Sequence, residues 1–233
     1  MSSSKFLYRL QQLDSEIDAS RRRIAEIDAL LADDSKLKAA SRAEKQAASA
    51  AAEAEKQLRK AEGAVEDQKY KLERNKEKLY GGSVTNPKEL EDLQMEADSL
   101  QKYLEVLEEH QLEAMIKLDE ARAEHDQKKR VMEEIRDQWE RTVQELESEK
   151  KALKKSIRNL QEKRPGLAEN ISKDDLQLYE KIRSRAGGVA VAGMKENSCA
   201  ACGSHLPSGL AQQASSPSTL AQCSTCGRIL HPR

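Results

Sequence analysis

The sequence predicts a mainly α-helical protein, a long kinked antiparallel coiled-coil hairpin followed by a small C-terminal module of short strands. Three observations carry this. Apolar residues recur at alternating steps of three and four along most of the chain; a helix stop, loop and helix start divide two arms of matching length; and all four cysteines fall within residues 199–233 as two Cys-x-x-Cys pairs. Composition agrees. Charged residues make up 35% of the 233 residues and aromatics only 3%, the profile of solvated helices with a narrow apolar seam rather than a thick core. A net charge of −1 implies no global attraction to nucleic acid or acidic partners. The opening residues lack the apolar stretch of a signal peptide. No run reaches the ~18 apolar residues of a membrane span. The expectation is a cytoplasmic protein with no membrane partner. Asn170-Ile171-Ser172 matches a glycosylation sequon by chance in that setting.

The first arm opens with heptads at Phe6, Leu10, Leu13, Ile17, Ile24, Ile27 and Leu31. Around Asp33-Asp34-Ser35 the register slips by one residue, and Asp34 or Ser35 offers a new N-cap, so a kink or short break is expected there. A second run follows through Leu37, Ala40, Ala47, Ala51, Ala54, Leu58, Ala61, Val65, Leu72 and Leu79. Its alanine-rich part, residues 39–54, buries little area and holds weakly.

At the tip, Gly81 suits the left-handed position that ends a helix. Asn86 is a good N-cap, with Pro87 at the first helical position and Glu89 placed to reach back to the cap. The second arm carries Leu90, Leu93, Ala97, Leu100, Leu104, Leu107, Ala114, Leu118, Ala121, Met132, Ile135, Trp139, Leu146, Leu153 and Leu160 in one register, crossed by polar residues at Gln111, His125, Lys128, Thr142, Glu149 and Ser156. A repeat of 3.5 held this long predicts a left-handed coiled coil, about 110 Å of helix over residues 88–164. The seam polar residues set register or snorkel to water, and Trp139 packs in the seam.

Charge selects the antiparallel hairpin. Acidic residues dominate 89–126, and the stretch that would face it, 45–78, leans basic, with Lys56, Arg59, Lys60, Lys69, Lys71, Arg74, Lys76 and Lys78. At the other end Asp14, Glu16, Asp18, Glu26 and Asp28 would face Lys150, Lys151, Lys154, Lys155 and Arg158. Flanking charges of this kind fix partner and orientation. Hairpins could still associate, so a monomer or weak homo-oligomer is expected. Pro165-Gly166 is read as the stop. Ser172 caps a short helix over 173–185, with Ile171 against Leu176, and the helix ends at Gly187-Gly188. Val189 to Gly193 then reads as a strand, as do Thr219-Leu220-Ala221 and Arg228-Ile229-Leu230. The expected domains are 1–164 (arms 4–80 and 88–164 around a tip at 81–87), a linker at 165–188, and the terminal module at 189–233.

Cys199-x-x-Cys202-Gly203 and Cys223-x-x-Cys226-Gly227 have the form of two zinc knuckles. Two intervening residues let both sulfurs reach one ion, and the trailing Gly supplies a positive φ for the returning backbone. Four thiolates close a tetrahedral site, so one structural Zn2+ is expected and the module is a zinc ribbon. A segment this small and rich in Ser, Ala and Gly needs the ion to fold. His205 and His231 are subsidiary candidates, displaced by the full cysteine set.

The stretch from Leu79 to Gln94 (Leu-Tyr-Gly-Gly-Ser-Val-Thr-Asn-Pro-Lys-Glu-Leu-Glu-Asp-Leu-Gln) resembles the bacterial C4-type zinc-ribbon proteins with a long helical hairpin, formerly a domain of unknown function. Tyr179 to Arg183, Gly188 to Ala192 and Cys223 to Leu230 carry the same resemblance. It implies the hairpin and ribbon, the ligands Cys199, Cys202, Cys223 and Cys226, the turn Thr85-Asn86-Pro87, and interaction work that includes nucleic acid and an alternative sigma factor. Between the knuckles the chain departs from the family, with Ser, Ala, Gln and Pro at 208–219 in place of a charged stretch.

No phosphate-binding loop, metalloprotease helix motif or nucleophile elbow is present, so catalysis is not expected. The favoured class is a protein–protein adaptor, with Val84, Thr85 and Asn86 at the tip as the candidate docking residues. The second class is nucleic-acid binding by Lys151, Lys154, Lys155, Arg158, Arg183 and Arg185, joined by Lys150, Lys163, Arg164, Lys181, Arg228 and Arg233. Against this stand the balancing role of those charges and the absence of aromatics for base stacking.

Overall fold

The computed structural model describes residues 3–195, 197–216 and 219–232; Arg233 lies outside them. Among the described residues the elements follow in order: α1 Ser3–Ala32, α2 Ser35–Tyr80, α3 Pro87–Ala168, α4 Lys173–Arg185, β1 Val191–Lys195, β2 Ser198–Cys199, α5 Ser208–Ser215 and β3 Ile229–His231. The fold is mainly helical, a long hairpin with a small C-terminal sheet. The chain forms two compact units, Asp34–Arg141 and Met1–Asp33 with Thr142–Arg233. No helix among the described residues is long and apolar enough to cross a membrane.

The seam is where the periodicity places it. Every apolar residue of the 3–4 series from Leu90 to Leu160 is buried or half-buried, as is every one in the run from Leu37 to Leu79. In the Asp34–Arg141 unit the tightest cluster is Val65, Leu72, Ala97 and Leu104, flanked by Leu100 and Leu107. Three polar residues along the seam of this unit have partners across the hairpin. Gln68 Nε2 donates to the Leu100 carbonyl at 3.0 Å, Asn75 Nδ2 to Glu96 at 2.7 Å, and His125 Nε2 pairs with Glu44 at 3.3 Å. Lys69–Glu108 and Arg122–Glu55 bridge the flank. Asn75 is buried with its Oδ1 unsatisfied, an arrangement that costs about 1–3 kcal/mol. Asn75→Leu is therefore expected to stabilise the hairpin by about 1–2 kcal/mol, read as a higher denaturant midpoint at unchanged m-value.

Helix boundaries depart from expectation in two places. The left-handed residue at the tip is Gly82 (φ 75°), not Gly81, which stays right-handed (φ −76°) and donates its N–H to the Glu77 carbonyl at 2.8 Å. The helix thus keeps one more bond before the reversal. Asn86 Oδ1 accepts the Lys88 N–H at 3.1 Å and starts α3. Pro165-Gly166 does not stop α3, which runs on to Ala168. Proline removes one N–H but leaves its carbonyl free. That carbonyl accepts the Glu169 N–H at 2.9 Å, and Leu167 packs on the core, so the extra turn has both a bond and burial. Between α1 and α2 the chain breaks at Asp33-Asp34. Asp34 occupies the cap position of α2 without a side-chain cap bond and pairs with Lys38 instead.

The sheet order is β2-β1-β3, with β1 antiparallel to β2 but parallel to β3. Thr219-Leu220-Ala221 is not a strand. Residues 208–215 form α5, unread in the sequence although Ala and Gln favour helix, so the connection to β3 is a crossover and β3 runs alongside β1. Ala221 contributes only its carbonyl, which accepts the Leu230 N–H at 2.8 Å, and Gln222 a single bridge to Ile229.

Candidate metal centre and its attachment

Each knuckle is a tight backbone loop of the same design. The Gly203 and Gly227 N–H groups return to the carbonyls of Cys199 and Cys223, both at 2.8 Å, with φ of 75° and 70°. Cys199 N–H donates to Ser204 at 2.9 Å and Cys223 N–H to Arg228 at 2.8 Å. The knuckles bring the four sulfurs together, all within 4.8 Å of one another, with Cys199–Cys226 at 3.8 Å and Cys202–Cys223 at 3.7 Å. Four sulfurs each about 2.3 Å from a central ion would stand about 3.8 Å apart in a tetrahedron. A disulfide needs about 2.05 Å. The four thiols are free, and their spacing fits a metal ion rather than cross-links.

Burial pushes the Cys199 thiol up to about 12, whereas contacts with the Ser204 hydroxyl and amide bring exposed Cys202 down to about 6. A metal held at Cys199 would therefore displace a proton from that thiol. Around the site Ala192, Leu206, Ala214, Ala221 and Leu230 pack with Cys199 and Cys223. His231 is not beside the sulfurs. Its ring stacks on Tyr8 at 5.0 Å and its Nδ1 meets Ser4 Oγ at 3.2 Å.

The module is joined to α1 and α4 by polar side chains the sequence reading did not single out as a site. Gln11 of α1 mimics a strand residue: its Nε2 donates to the Val191 carbonyl at 2.8 Å while its Oε1 accepts the Val191 N–H at 2.5 Å. Leu7, Leu10, Ile171, Tyr179, Val191 and Ile229 form the core beneath it. One turn along, Asp14 is 2% exposed. It accepts two bonds from Arg164 at 2.8 and 3.1 Å and one from the Tyr179 hydroxyl at 3.0 Å, with Arg183 alongside at 3.9 Å. Asp14 thus meets Arg164 rather than the lysines of the facing arm. The only signal available was that Gln11 and Asp14 stand beside the apolar series of α1.

Burial, with Asp14 adding to it, raises the Tyr179 hydroxyl well above its usual range. The folded state then keeps a proton that the unfolded state releases above about pH 10. Stability should hold below that pH and fall above it by up to ~1.4 kcal/mol per pH unit. Tyr179→Phe is expected to remove this component from alkaline denaturation curves.

Among the other candidate residues, Val84 is half-buried and Thr85 and Asn86 are exposed at the tip. Lys151, Lys154, Lys155, Arg158 and Arg185 are exposed, with no ion pair among the described residues. Arg183 is not free: it pairs with Asp18, Asp14 and Glu180. Lys150 is likewise engaged by Asp28, and Glu149 by Arg23 at 2.7 and 3.0 Å.

Comparison with known proteins places this architecture. Two Mycobacterium tuberculosis proteins, Rv2229c and MT2288, are each 30% identical over 161 residues, covering 68% of this chain and 64% of their own length. Among solved structures, CT398 from Chlamydia trachomatis superposes over 99% of this chain and 98% of its own, at a TM-score of 0.73 and 16% identity. A Mycobacterium smegmatis protein gives 0.67 at 21%, and HP0958 from Helicobacter pylori 0.53 at 21%, each over 99% of this chain and 97% of its own. At those identities the structures establish the fold alone. The model of the CT398-like coiled coil hairpin domain matches residues 10–187, and the chain belongs to that family.

Proposed function

We propose that the protein is a non-catalytic adaptor in which a coiled-coil hairpin carries a zinc-stabilised module to a protein partner. The observation that carries this reading is the closed donor set: four sulfurs within 4.8 Å of one another, two pairs at 3.7 and 3.8 Å, fill a tetrahedral shell and leave no position for water or substrate, so the ion is structural rather than catalytic. Zinc is the ion favoured by an all-thiolate tetrahedral set. The partner is a protein, with an alternative sigma factor as the candidate by resemblance, and the compartment the cytoplasm. Val84 and Thr85 form the docking point at the tip.

Nucleic-acid binding is the second reading, favoured by the unpaired exposed cations Lys151, Lys154, Lys155 and Arg158 on α3. One experiment addresses both. Affinity purification of the full chain, with and without nuclease, should retain a protein partner in either condition. Val84→Ala with Thr85→Ala should reduce its recovery about tenfold at unchanged helicity. Recovery lost on nuclease treatment and steeply salt-dependent would favour the second reading, and unaltered recovery by the double variant would remove the tip.

A further inference from the structure

We propose that a cleft beside the second knuckle receives a short segment of a protein partner that alternates acidic and aliphatic residues. The proposal rests on the adaptor reading and names the chemistry of its partner. The cleft has a volume of about 460 Å³ and lies between α4 and the loop before β3, lined chiefly by Leu178, Lys181, Ile182, Arg185, Gln222 and Arg228. Its size falls within the ~300–1,000 Å³ of ligand sites. Leu178, Lys181, Ile182 and Arg185 stand at i, i+3, i+4 and i+7, so one face of α4 supplies both the apolar floor and two cations.

Those cations have no carboxylate partner, although Cys226 of the metal centre also lines the cleft. Lys181, Arg185 and Arg228 enter no ion pair among the described residues, unlike neighbouring Arg183, which Asp18 and Asp14 hold. Among the described residues no acidic residue lines the cleft, and the sequence of residues 199–233 contains none. Arg228 is also fixed in place. Its Nε donates to the Val189 carbonyl at 2.9 Å and its Nη2 to the Ala186 carbonyl at 3.0 Å, which presents a preorganised guanidinium without loss of side-chain freedom on binding. Fixed and mobile cations around an aliphatic floor match carboxylates interleaved with leucine-like side chains. A polynucleotide fits less well, since the lining has phosphate-binding charge but, among the described residues, no aromatic face on which a base could stack.

The test uses the full, zinc-loaded chain and a fluorescein-labelled peptide of alternating Asp and Leu, followed by anisotropy. Saturable binding is expected. It should weaken about tenfold or more with Lys181→Glu plus Arg185→Glu, and about tenfold when the peptide's Leu residues become Ser. Both substituted residues are exposed, so circular dichroism should report an unchanged fold. The proposal is overturned if single-stranded RNA of equal length binds more tightly than the peptide, or if the double variant binds the peptide as well as the parent chain does. It is equally overturned if the parent chain binds no peptide and the double variant merely loses metal faster to a chelator. In that case the cations balance the thiolates alone. None of these failures alters partner recovery through the tip, so the adaptor reading is judged separately.

Discussion

Cys223→Ser is expected to release the metal and unfold the terminal module while leaving most of the helix intact. Cys223 is buried, closes one of the two sulfur contacts, and packs in the small cluster of Ala192, Leu206, Ala214 and Leu230. That cluster holds only two leucines among alanines and cysteines and offers too little burial to hold three short strands without the ion. Structural zinc contributes on the order of 10 kcal/mol to such units, more than the whole stability of a typical domain. The parent chain should carry one metal ion and the variant none, by elemental analysis. Limited proteolysis should cut the variant within residues 189–232, and far-UV circular dichroism should change only slightly, because α1 to α4 lie outside the module. A variant that keeps its metal, or a parent chain that never carries any, would remove the metal centre from the account.

Asp14→Ala should be the most damaging substitution outside the cysteines. One carboxylate, almost wholly buried, holds the Arg164 fork, the Tyr179 hydroxyl and the Arg183 guanidinium, and so ties α1 to the end of α3 and to α4. Removing it takes away the one fully buried counter-ion, leaving Arg164 to Glu180 alone and Arg183 to Asp18 and Glu180 in a half-buried site. Truncating one partner of such a pair costs about 3–5 kcal/mol, whereas Tyr179→Phe should cost about 1 kcal/mol for the lost hydrogen bond. Chemical denaturation of the two variants decides it, and an Asp14→Ala cost below that of Tyr179→Phe would show that the network contributes little. Hydrogen exchange should localise the Asp14→Ala loss to α1, α4 and the sheet, leaving the seam around Val65 and Leu104 protected.

The long seam could be read from the chain because a helix converts spacing into facing: the register from Leu90 to Leu160 places each residue on one stripe whatever else is present. The stop and start around residues 80–87 were legible for the same local reason, with the one-residue error between Gly81 and Gly82 arising because either glycine tolerates the reversal. The gathering of the four cysteines was legible from covalent spacing, since two intervening residues suffice to bring a pair of sulfurs together.

What tertiary structure alone decided is which distant residues share an environment. Charge patterning led Asp14 towards Lys150 and its neighbours, but burial next to Tyr179 selected Arg164, whose planar fork satisfies a desolvated carboxylate better than a flexible ammonium can. Arg183 likewise changed from a candidate phosphate contact to an internal counter-ion. The parallel pairing of β1 with β3 depends on the crossover through α5, and the strand-like use of Gln11 depends on an open stretch of β1 lying against α1. Periodicity, caps and cysteine spacing are local properties, and the linear sequence carries them. Partner choice among side chains well over a hundred residues apart is settled only when packing removes water and leaves an arrangement that pairs the buried charges.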